Sequence, residues 1–230
     1  MIGIIGAMRV EVEGLKARLA NAKSEIISGT EYVSGTLEGR EVVVAQCGIG
    51  KVFAAVCAHT MILRYQVKAI INTGVAGTLS ERVGILDFAV SSAVVQHDMD
   101  TTVLGDAPGL ISGINVVEIS ASSALCELAC NKARELGNRC EGGVIASGDQ
   151  FISNAERKAY IRNTFSAIAC EMEGAAIGHA CYIGGVEFVV IRCISDSATG
   201  EAEMEYPEMV SIAAERSTAL VLAMLGAMGD

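Results

Sequence analysis

Four acidic segments carry the residue types that acid–base chemistry needs. Glu11 follows the first apolar run of the chain, the Ser-Gly-Asp segment 147–149 and the Glu-Met-Glu segment 171–173 follow two later runs, and Ser195 and Asp196 close another. Buried carboxylates are costly unless they are paired or used, so residues of this kind are candidates for a functional site. Two carboxyl groups placed together can protonate a leaving group and activate a water molecule.

Alternating strands and helices must position these segments. Apolar runs predict strands at 2–6, 31–37, 42–45, 67–72, 87–95, 143–147, 166–171 and 187–194. Apolar residues at helical spacing predict helices near 8–19, 51–63, 122–136, 173–183 and 207–227. The alternation predicts one α/β domain over residues 1–230, a three-layer α/β/α sandwich around a central mixed, mostly parallel sheet. Ligands bind at the carboxyl ends of strands in such sheets, where the acidic segments lie.

Composition narrows the classes of function. The chain has 230 residues, 51% of them hydrophobic, which is enough for a full core without disulfides or metals. The net charge of −10 disfavours binding to nucleic acid or to a membrane surface, because both present negative charge. The eight cysteines contain no Cys-x-x-Cys pair and predict free thiols. With no basic leader and no apolar run of about 20 residues, we expect a cytoplasmic protein.

Familiar cofactor and metal motifs are incomplete. Gly48 and Gly50 precede a helix, but neither the Walker loop nor the dinucleotide fingerprint is satisfied around them. His97 and Asp98 could ligate a metal ion, but the sequence supplies no further ligands at suitable spacing. A Gly-x-Ser-x-Gly nucleophile motif is also missing from the sequence. We therefore predict no cofactor and no metal.

The motifs taken together resemble one family along essentially the whole chain. They are Ile4-Ile5-Gly6-Ala7-Met8 with Glu11, Gly48-Ile49-Gly50-Lys51-Val52, Asn72-Thr73-Gly74-Val75-Ala76-Gly77, Ser147-Gly148-Asp149 with Phe151-Ile152, Glu171-Met172-Glu173, and Ile194-Ser195-Asp196. Their order and spacing are similar to those of 5′-methylthioadenosine/S-adenosylhomocysteine nucleosidases, in the nucleoside phosphorylase/hydrolase superfamily. The resemblance implies a phosphorylase/hydrolase-like fold and hydrolysis of the N-glycosidic bond of an adenine nucleoside.

The resemblance also implies a division of labour among three carboxyl groups. Asp196 would be the acid at adenine N7, Glu11 would activate the water, and Glu173 would hold the ribose hydroxyls. An acid on the leaving group and a base on a water across the ring parallel the arrangement of inverting glycosidases. Carboxylates beside the sugar would also stabilise its developing positive charge.

Further contacts follow from the resemblance. Phe151 would stack on adenine, and the backbone of Ile152 would read its Watson–Crick edge. The remaining substrate-binding positions are Met8, Ile49, Val75, Ala76, Gly77, Glu171, Met172, Arg192, Ser195 and Tyr206. A homodimer is implied, in which Leu104 would lie on a loop that reaches the partner's thioether pocket.

Alternatives stay open at the level of the sequence. Val75 stands where the family often has serine, and the loop 104–112 lacks the aromatic residues that many members place over the 5′ group. The first rival is a purine nucleoside phosphorylase, which uses phosphate in place of water, and the second is a non-catalytic nucleoside-binding module. Neither motif nor composition ranks methylthioadenosine, adenosylhomocysteine, 5′-deoxyadenosine and futalosine-type substrates.

Overall fold

Strands and helices alternate along most of the chain. The computed structural model describes residues 1–196 and 206–229, without the side chains of Asp196, Tyr206 and Pro207. The strands are β1 (Ile2–Gly6), β2 (Ala20–Ile27), β3 (Thr30–Leu37), β4 (Arg40–Gln46), β5 (Ala69–Thr78), β6 (Phe88–Gln96), β7 (Glu118–Ser120), β8 (Cys140–Ser147), β9 (Ala167–Glu171) and β10 (Glu187–Asp196). The helices are α1 (Arg9–Lys16), α2 (Lys51–Tyr65), α3 (Ser123–Glu135), α4 (Ala155–Phe165), α5 (Gly174–Gly184) and α6 (Tyr206–Ala227), with a 3₁₀ turn at Thr102–Leu104.

Parallel strands form the centre of the sheet. β4, β1, β5 and β10 lie side by side and run in the same direction. Neighbouring residues of β1 point to opposite faces, and Ile4 and Ile5 are both fully buried in different core clusters. A strand buried on both faces needs apolar residues at every position, which explains the continuous apolar run at 2–6. β2 and β3 extend the sheet beyond β4 by antiparallel pairing.

The other half of the sheet curls back on itself. β10 pairs with β6, β6 with β8, and β8 with β9. β9 then pairs with Gly77 and Thr78 at the end of β5, so five strands close a circuit. The prediction of an α/β fold with a mixed sheet is confirmed. The sheet is less parallel than predicted. The β10–β6 and β5–β9 pairings at the closure are antiparallel, and so are the β2–β3, β3–β4 and β6–β7 pairings.

Helices pack on both faces of the sheet. α2 and α5 contact each other and share a core cluster that includes Ile5, Ala58 and Ile177. α1 and α3 both contact α6, and their shared cluster includes Ile4 and Leu220 on the other face. The strand ends, and the loops that follow them, are left open between these helices, which is where the acidic segments lie.

Two strands were not predicted. The helix expected over 8–19 ends at Lys16, and β2 begins at Ala20. Side chains along β2 are exposed almost throughout, so its sequence has neither the alternation of a half-buried strand nor the apolar run of a buried one. β7 has three residues, which is too short for a pattern.

Helix α6 is long and apolar. By length and composition alone, its stretch Glu208–Ala227 could cross a membrane, but half of that stretch is buried within the fold. Leu220 and Val221 are fully buried, and the helix contacts α1, α3, β5 and β10. Because core helices of globular proteins have the same composition, these contacts account for the apolar character of α6.

Candidate active site

One cleft collects most of the predicted site residues. It opens where β1, β5, β9 and β10 end and encloses about 690 Å³, part of which is open solvent at its mouth. Its lining residues are Ala7, Met8, Glu11, Ile49, Val75, Ala76, Gly77, Gln150, Phe151, Ile152, Cys170, Glu171, Met172, Glu173 and Ser195.

Glu11 is held by backbone amides in the wall of the cleft. Its Oε2 accepts hydrogen bonds from the N–H groups of Ala7 (2.7 Å) and Met8 (2.8 Å), and its Oε1 accepts one from Val75 (3.1 Å). Two of these donors are backbone groups at the start of α1, which would otherwise have no partner. A Cβ at Gly74 would lie 2.6 Å from Oε1, so glycine is required for this approach. The carboxylate is therefore fixed in position.

The charge of Glu11 is only partly compensated. Burial raises the pKa of this carboxyl group above its usual value, and the opposing effects of Arg192 and the three amides do not cancel that effect. A carboxylate with a raised pKa binds a proton more readily near neutral pH. This is the property that a general base needs.

Glu171 and Arg192 form a buried ion pair next to the cleft. Arg192 is 2% exposed, and its Nη2 donates to Oε2 of Glu171 and, at 2.6 Å, to Oδ1 of Asn72. Glu171 also accepts from the hydroxyl of Ser147 and from the N–H of Gly174 at 2.8 Å. Gly174 begins α5, whose dipole favours a negative charge at that end. Burial acts to raise the pKa of Glu171, but Arg192 and these hydrogen bonds lower it overall.

Glu173 lies two residues further along and has far fewer donors. Its Oε1 accepts a hydrogen bond from the N–H of Gly50 at the start of α2, at 2.9 Å. Its Oε2 lies 4.0 Å from Nη2 of Arg192, whose hydrogen bonds go to other groups. Burial and the nearby charge of Glu171 raise the pKa of Glu173 to about 7, against the weaker effects of Arg192 and Gly50. Glu173 can therefore exchange a proton near neutral pH.

The rest of the cleft is largely apolar. Phe151 and Ile49 are 67% and 56% exposed, which leaves their side chains accessible at the cleft. Met8, Ile152 and Met172 are partly buried. A planar, uncharged group could lie against these side chains while a polar group faces the carboxylates. The cleft thus suits a ligand with one apolar, flat part and one hydroxyl-rich part.

Four predicted site residues lie outside the lining of the cleft or have side chains outside the described atoms. Arg192 does not line the cleft and instead lies behind Glu171 and Glu173. Leu104, in the 3₁₀ turn, is 79% exposed and is not part of the cleft. The backbone of Asp196 pairs with Gly77, but its side chain lies outside the described residues. The same holds for the side chain of Tyr206, the first residue of α6.

Four residues contribute to the site without having been predicted. Ala7, Gln150 and Cys170 line the cleft, and each adjoins a residue that was predicted. Their position next to predicted site residues in the sequence was the available signal. Asn72 holds Arg192 through its side-chain carbonyl and donates to the carbonyl oxygen of Ile5 at 2.9 Å. The sequence signal for Asn72 was a polar amide at the end of the predicted apolar strand 67–72, because a buried amide needs hydrogen-bond partners.

The fold and the cleft define an α/β protein of the phosphorylase superfamily, whose family model matches residues 1–226. Two sequence relatives are named 5′-methylthioadenosine/S-adenosylhomocysteine nucleosidase. The one from Halalkalibacterium halodurans is 40% identical over 229 residues and covers 99% of each chain. The one from a Shewanella species is 40% identical over 226 residues and covers 97% of each chain.

Solved structures agree with these relatives. The nucleosidase of the same name from Neisseria meningitidis, in complex with methylthio-immucillin-A, superposes with a TM-score of 0.94 at 34% identity over 99% of both chains. A futalosine hydrolase from Helicobacter pylori superposes with a TM-score of 0.93 at 35% identity, over 99% of this chain and 97% of that one. The chain belongs to the 5′-methylthioadenosine/S-adenosylhomocysteine nucleosidase family and is an N-glycosyl hydrolase. The family resemblance seen in the sequence is confirmed.

Proposed function

We propose that the enzyme hydrolyses the N-glycosidic bond of 5′-methylthioadenosine and S-adenosylhomocysteine, releasing adenine and the corresponding thioribose. The observation that carries this proposal is the convergence of Glu11 and Glu173 on one cleft, both buried and both with raised pKa values. The relatives named for these two substrates and the neighbour that holds a methylthio-nucleoside analogue support it.

Glu11 activates the attacking water. Two amides hold its Oε2 and one holds its Oε1, so the second acceptor site of Oε1 is available to a water in the cleft. Removing a proton from that water makes it a nucleophile toward the anomeric carbon. The excess of buried negative charge then stabilises the positive charge that develops on the ribose.

Glu173 holds the ribose hydroxyls. Its ionised carboxylate can accept two hydrogen bonds from neighbouring hydroxyl groups, while the N–H of Gly50 fixes the position of Oε1. The apolar wall takes the base, with Phe151 stacked on adenine and the backbone of Ile152 at its Watson–Crick edge. Met8 and Met172 contact the sugar. Ser195, which lines the cleft, directly precedes the acid.

Asp196 protonates adenine N7 as the bond breaks. Its backbone pairs with Gly77, a residue that lines the cleft, so the chain at Asp196 runs beside the base-binding part. Tyr206 covers the substrate from the start of α6. Protonation of N7 neutralises the departing base and lowers the barrier to its release.

Phosphate has no ready binding site in the described part of the cleft. Described lining residues include no arginine, since Arg192 binds Glu171 and Asn72, and Arg9 pairs with Glu13 at the surface. Glu11 would repel an anion beside the sugar. This arrangement favours hydrolysis over phosphorolysis. A non-catalytic binding module would need neither the base Glu11 nor the acid Asp196, so their presence favours an enzyme.

Product analysis tests the reaction. Methylthioadenosine is incubated with the enzyme with and without phosphate, and adenine and sugar products are separated. We expect adenine and free methylthioribose at the same rate in both. A sugar 1-phosphate that forms only with phosphate would establish a phosphorylase, and the absence of adenine in both would establish a binding module. Parallel kcat/KM values for adenosylhomocysteine, 5′-deoxyadenosine and a futalosine rank the substrates.

The enzyme acts as a homodimer in the cytoplasm. Large apolar side chains are exposed on α2 and α5, among them Val52, Phe53, Leu63 and Ile183. Large exposed apolar side chains on two helices that contact each other are typical of a subunit interface. Leu104, exposed in the 3₁₀ turn, reaches the partner's thioether pocket. Sedimentation of the purified protein should give twice the mass of one chain, and a monomer at micromolar concentration would exclude this assembly.

A further inference from the structure

Three thiols lie together far from the cleft. Cys126 and Cys130 are one helical turn apart on α3, and Cys140 begins β8. The sulfur atoms of Cys130 and Cys140 are 2.7 Å apart, and Cys126 is hydrogen-bonded to Cys130. We refer to Cys126, Cys130 and Cys140 as the thiol cluster.

The thiol cluster lies at the opposite end of β8 from the catalytic site. β8 begins at Cys140 and ends at Ser147, which binds Glu171 beside the cleft. Cys126 and Cys140 are partly exposed, whereas Cys130 is buried against the core between α3 and α6. None of the three is among the described residues that line the cleft. Nothing in the hydrolysis of a nucleoside uses these thiols.

The local backbone keeps two of the sulfurs within bonding reach. α3 ends at Glu135, and the tight turn after it is held by the N–H of Asn138, which donates to the carbonyl of Ala133 at 2.9 Å. The chain then enters β8 at Cys140. A disulfide has an S–S length of about 2.05 Å, so small side-chain rotations of Cys130 and Cys140 are enough to form it.

We propose that Cys130 and Cys140 are a peroxide-sensitive pair that forms an intramolecular disulfide. The sulfur of Cys140 attacks one oxygen of hydrogen peroxide, the O–O bond breaks, and a sulfenic acid and water result. The sulfur of Cys130 then attacks the sulfenic sulfur, the S–S bond forms, and a second water leaves with the thiol proton. Two thiols are oxidised by two electrons, and one peroxide is reduced to two waters.

Exposure and hydrogen bonding set the order of these steps. Cys140 is partly exposed and can meet peroxide, while Cys130 is shielded. The hydrogen bond to Cys126 lowers the pKa of Cys130, but the hydrogen bond to Cys140 and burial outweigh it and raise that pKa to about 12. The pKa of Cys126 is also raised, by the hydrogen bond of Cys126 to Cys130 together with burial. Burial and these hydrogen bonds therefore favour the protonated form of both helix thiols.

Peptide mapping tests the pair. The purified enzyme is treated with excess hydrogen peroxide, alkylated and digested with trypsin, which cuts after Lys132 and Arg139 and so separates Cys130 from Cys140. We expect two of the eight thiols to escape alkylation. Before alkylation, the mass of the oxidised protein should be about 2 Da below that of the reduced protein, because a disulfide removes two hydrogen atoms. The digest should contain one linked peptide pair that dithiothreitol separates. Eight alkylated thiols, or sulfinic acid without the linked pair, would overturn the proposal.

Two serine variants assign the bond. Cys126→Ser should retain the linked peptides, whereas Cys130→Ser should abolish them. The opposite pattern, or crosslinking of Cys130→Ser through Cys126 at the parental rate, would show that Cys130 is not the partner. Turnover of the oxidised parent should stay within about twofold of the reduced form, because the thiol cluster lies outside the catalytic machinery. A loss of turnover that dithiothreitol reverses would contradict that placement.

Discussion

Two carboxylate environments lie side by side at the ends of the central strands, and they differ in how their charge is compensated. In the first, Glu171 accepts hydrogen bonds from Arg192, Ser147 and the start of α5. In the second, Glu11 accepts hydrogen bonds from three backbone amides and Glu173 from one, and both share only the more distant field of the same guanidinium. All three side chains are at least nine-tenths buried. Burial alone therefore does not separate a structural carboxylate from a reactive one.

The difference follows from where the buried guanidinium of Arg192 places its hydrogen bonds. Arg192 binds Glu171 directly, which lowers the pKa of Glu171, and lies 4.0 Å from Glu173. The carboxyl groups left without that bond have raised pKa values and can take up a proton near neutral pH. A fully compensated pair stabilises the strand ends, and the undercompensated groups beside it are available for acid–base chemistry.

The largest expected effect comes from breaking the compensated pair. Glu171→Gln leaves Arg192 buried without its counter-ion, which should lower the free energy of unfolding by about 3–5 kcal/mol. Urea denaturation measures this change. The double variant Glu171→Gln with Arg192→Met removes both charges and should recover much of the loss. A single variant within about 1 kcal/mol of the parent would show that the pair contributes little.

The second effect is on turnover. Glu11→Gln keeps the shape of the side chain but removes the base, and Asp196→Asn removes the acid. Each should reduce kcat by over ~10²-fold. Glu13→Gln, on the exposed face of the same helix as Glu11, is the matched control and should turn over normally. Parental rates in both catalytic variants would exclude the assigned mechanism.

A smaller effect concerns stability against pH at Glu173. Its folded pKa of about 7 exceeds the usual 4.5, so between these values the folded state keeps a proton that the unfolded state has lost. The stability of the parent should therefore fall as pH rises through this window, and Glu173→Gln should not share this fall. Denaturation of both proteins at a series of pH values should show the stability of the variant rising relative to that of the parent between about pH 4.5 and 7.

The opposite dependence of stability on pH is expected for Glu171, which makes it a comparison for Glu173 within the same protein. Its folded pKa is lowered, so its contribution is fully present above pH 4.5 and is lost as pH falls through the lowered value. A constant stability difference between Glu173→Gln and the parent across the window would mean that Glu173 is as well compensated as Glu171.

The smallest effect leaves both carboxylate environments intact. Phe151→Leu keeps an apolar side chain but removes the ring that stacks on adenine, a contact worth about 1–3 kcal/mol per base. KM for methylthioadenosine should rise about tenfold while kcat changes little, because the acid and the base are untouched. Initial-rate kinetics separate the two constants. A fall in kcat alone would place Phe151 in the chemical step instead.

Much of the fold was readable from pattern. Strands that are buried on both faces, such as β1, have continuous apolar sequences and can be predicted from them. The glycine-rich segments at the ends of these strands indicate where the cleft lies. The exposed β2 and the three-residue β7 leave no such pattern. The closure of the sheet was also beyond the sequence, because it depends on β5 being long enough to pair with β1 at one end and β9 at the other.

Some properties of the candidate site could likewise be predicted from the sequence, and others could not. The sequence by itself determined the residue types, their order and their place at strand ends, since these follow from local patterns. It did not show which of Glu171 and Glu173, two residues apart in one motif, is paired with a cation, or that Arg192 lies behind the cleft instead of at its surface. Only the tertiary structure decided those points, because the charge state of a buried carboxylate depends on which donors from distant strands and helices reach it.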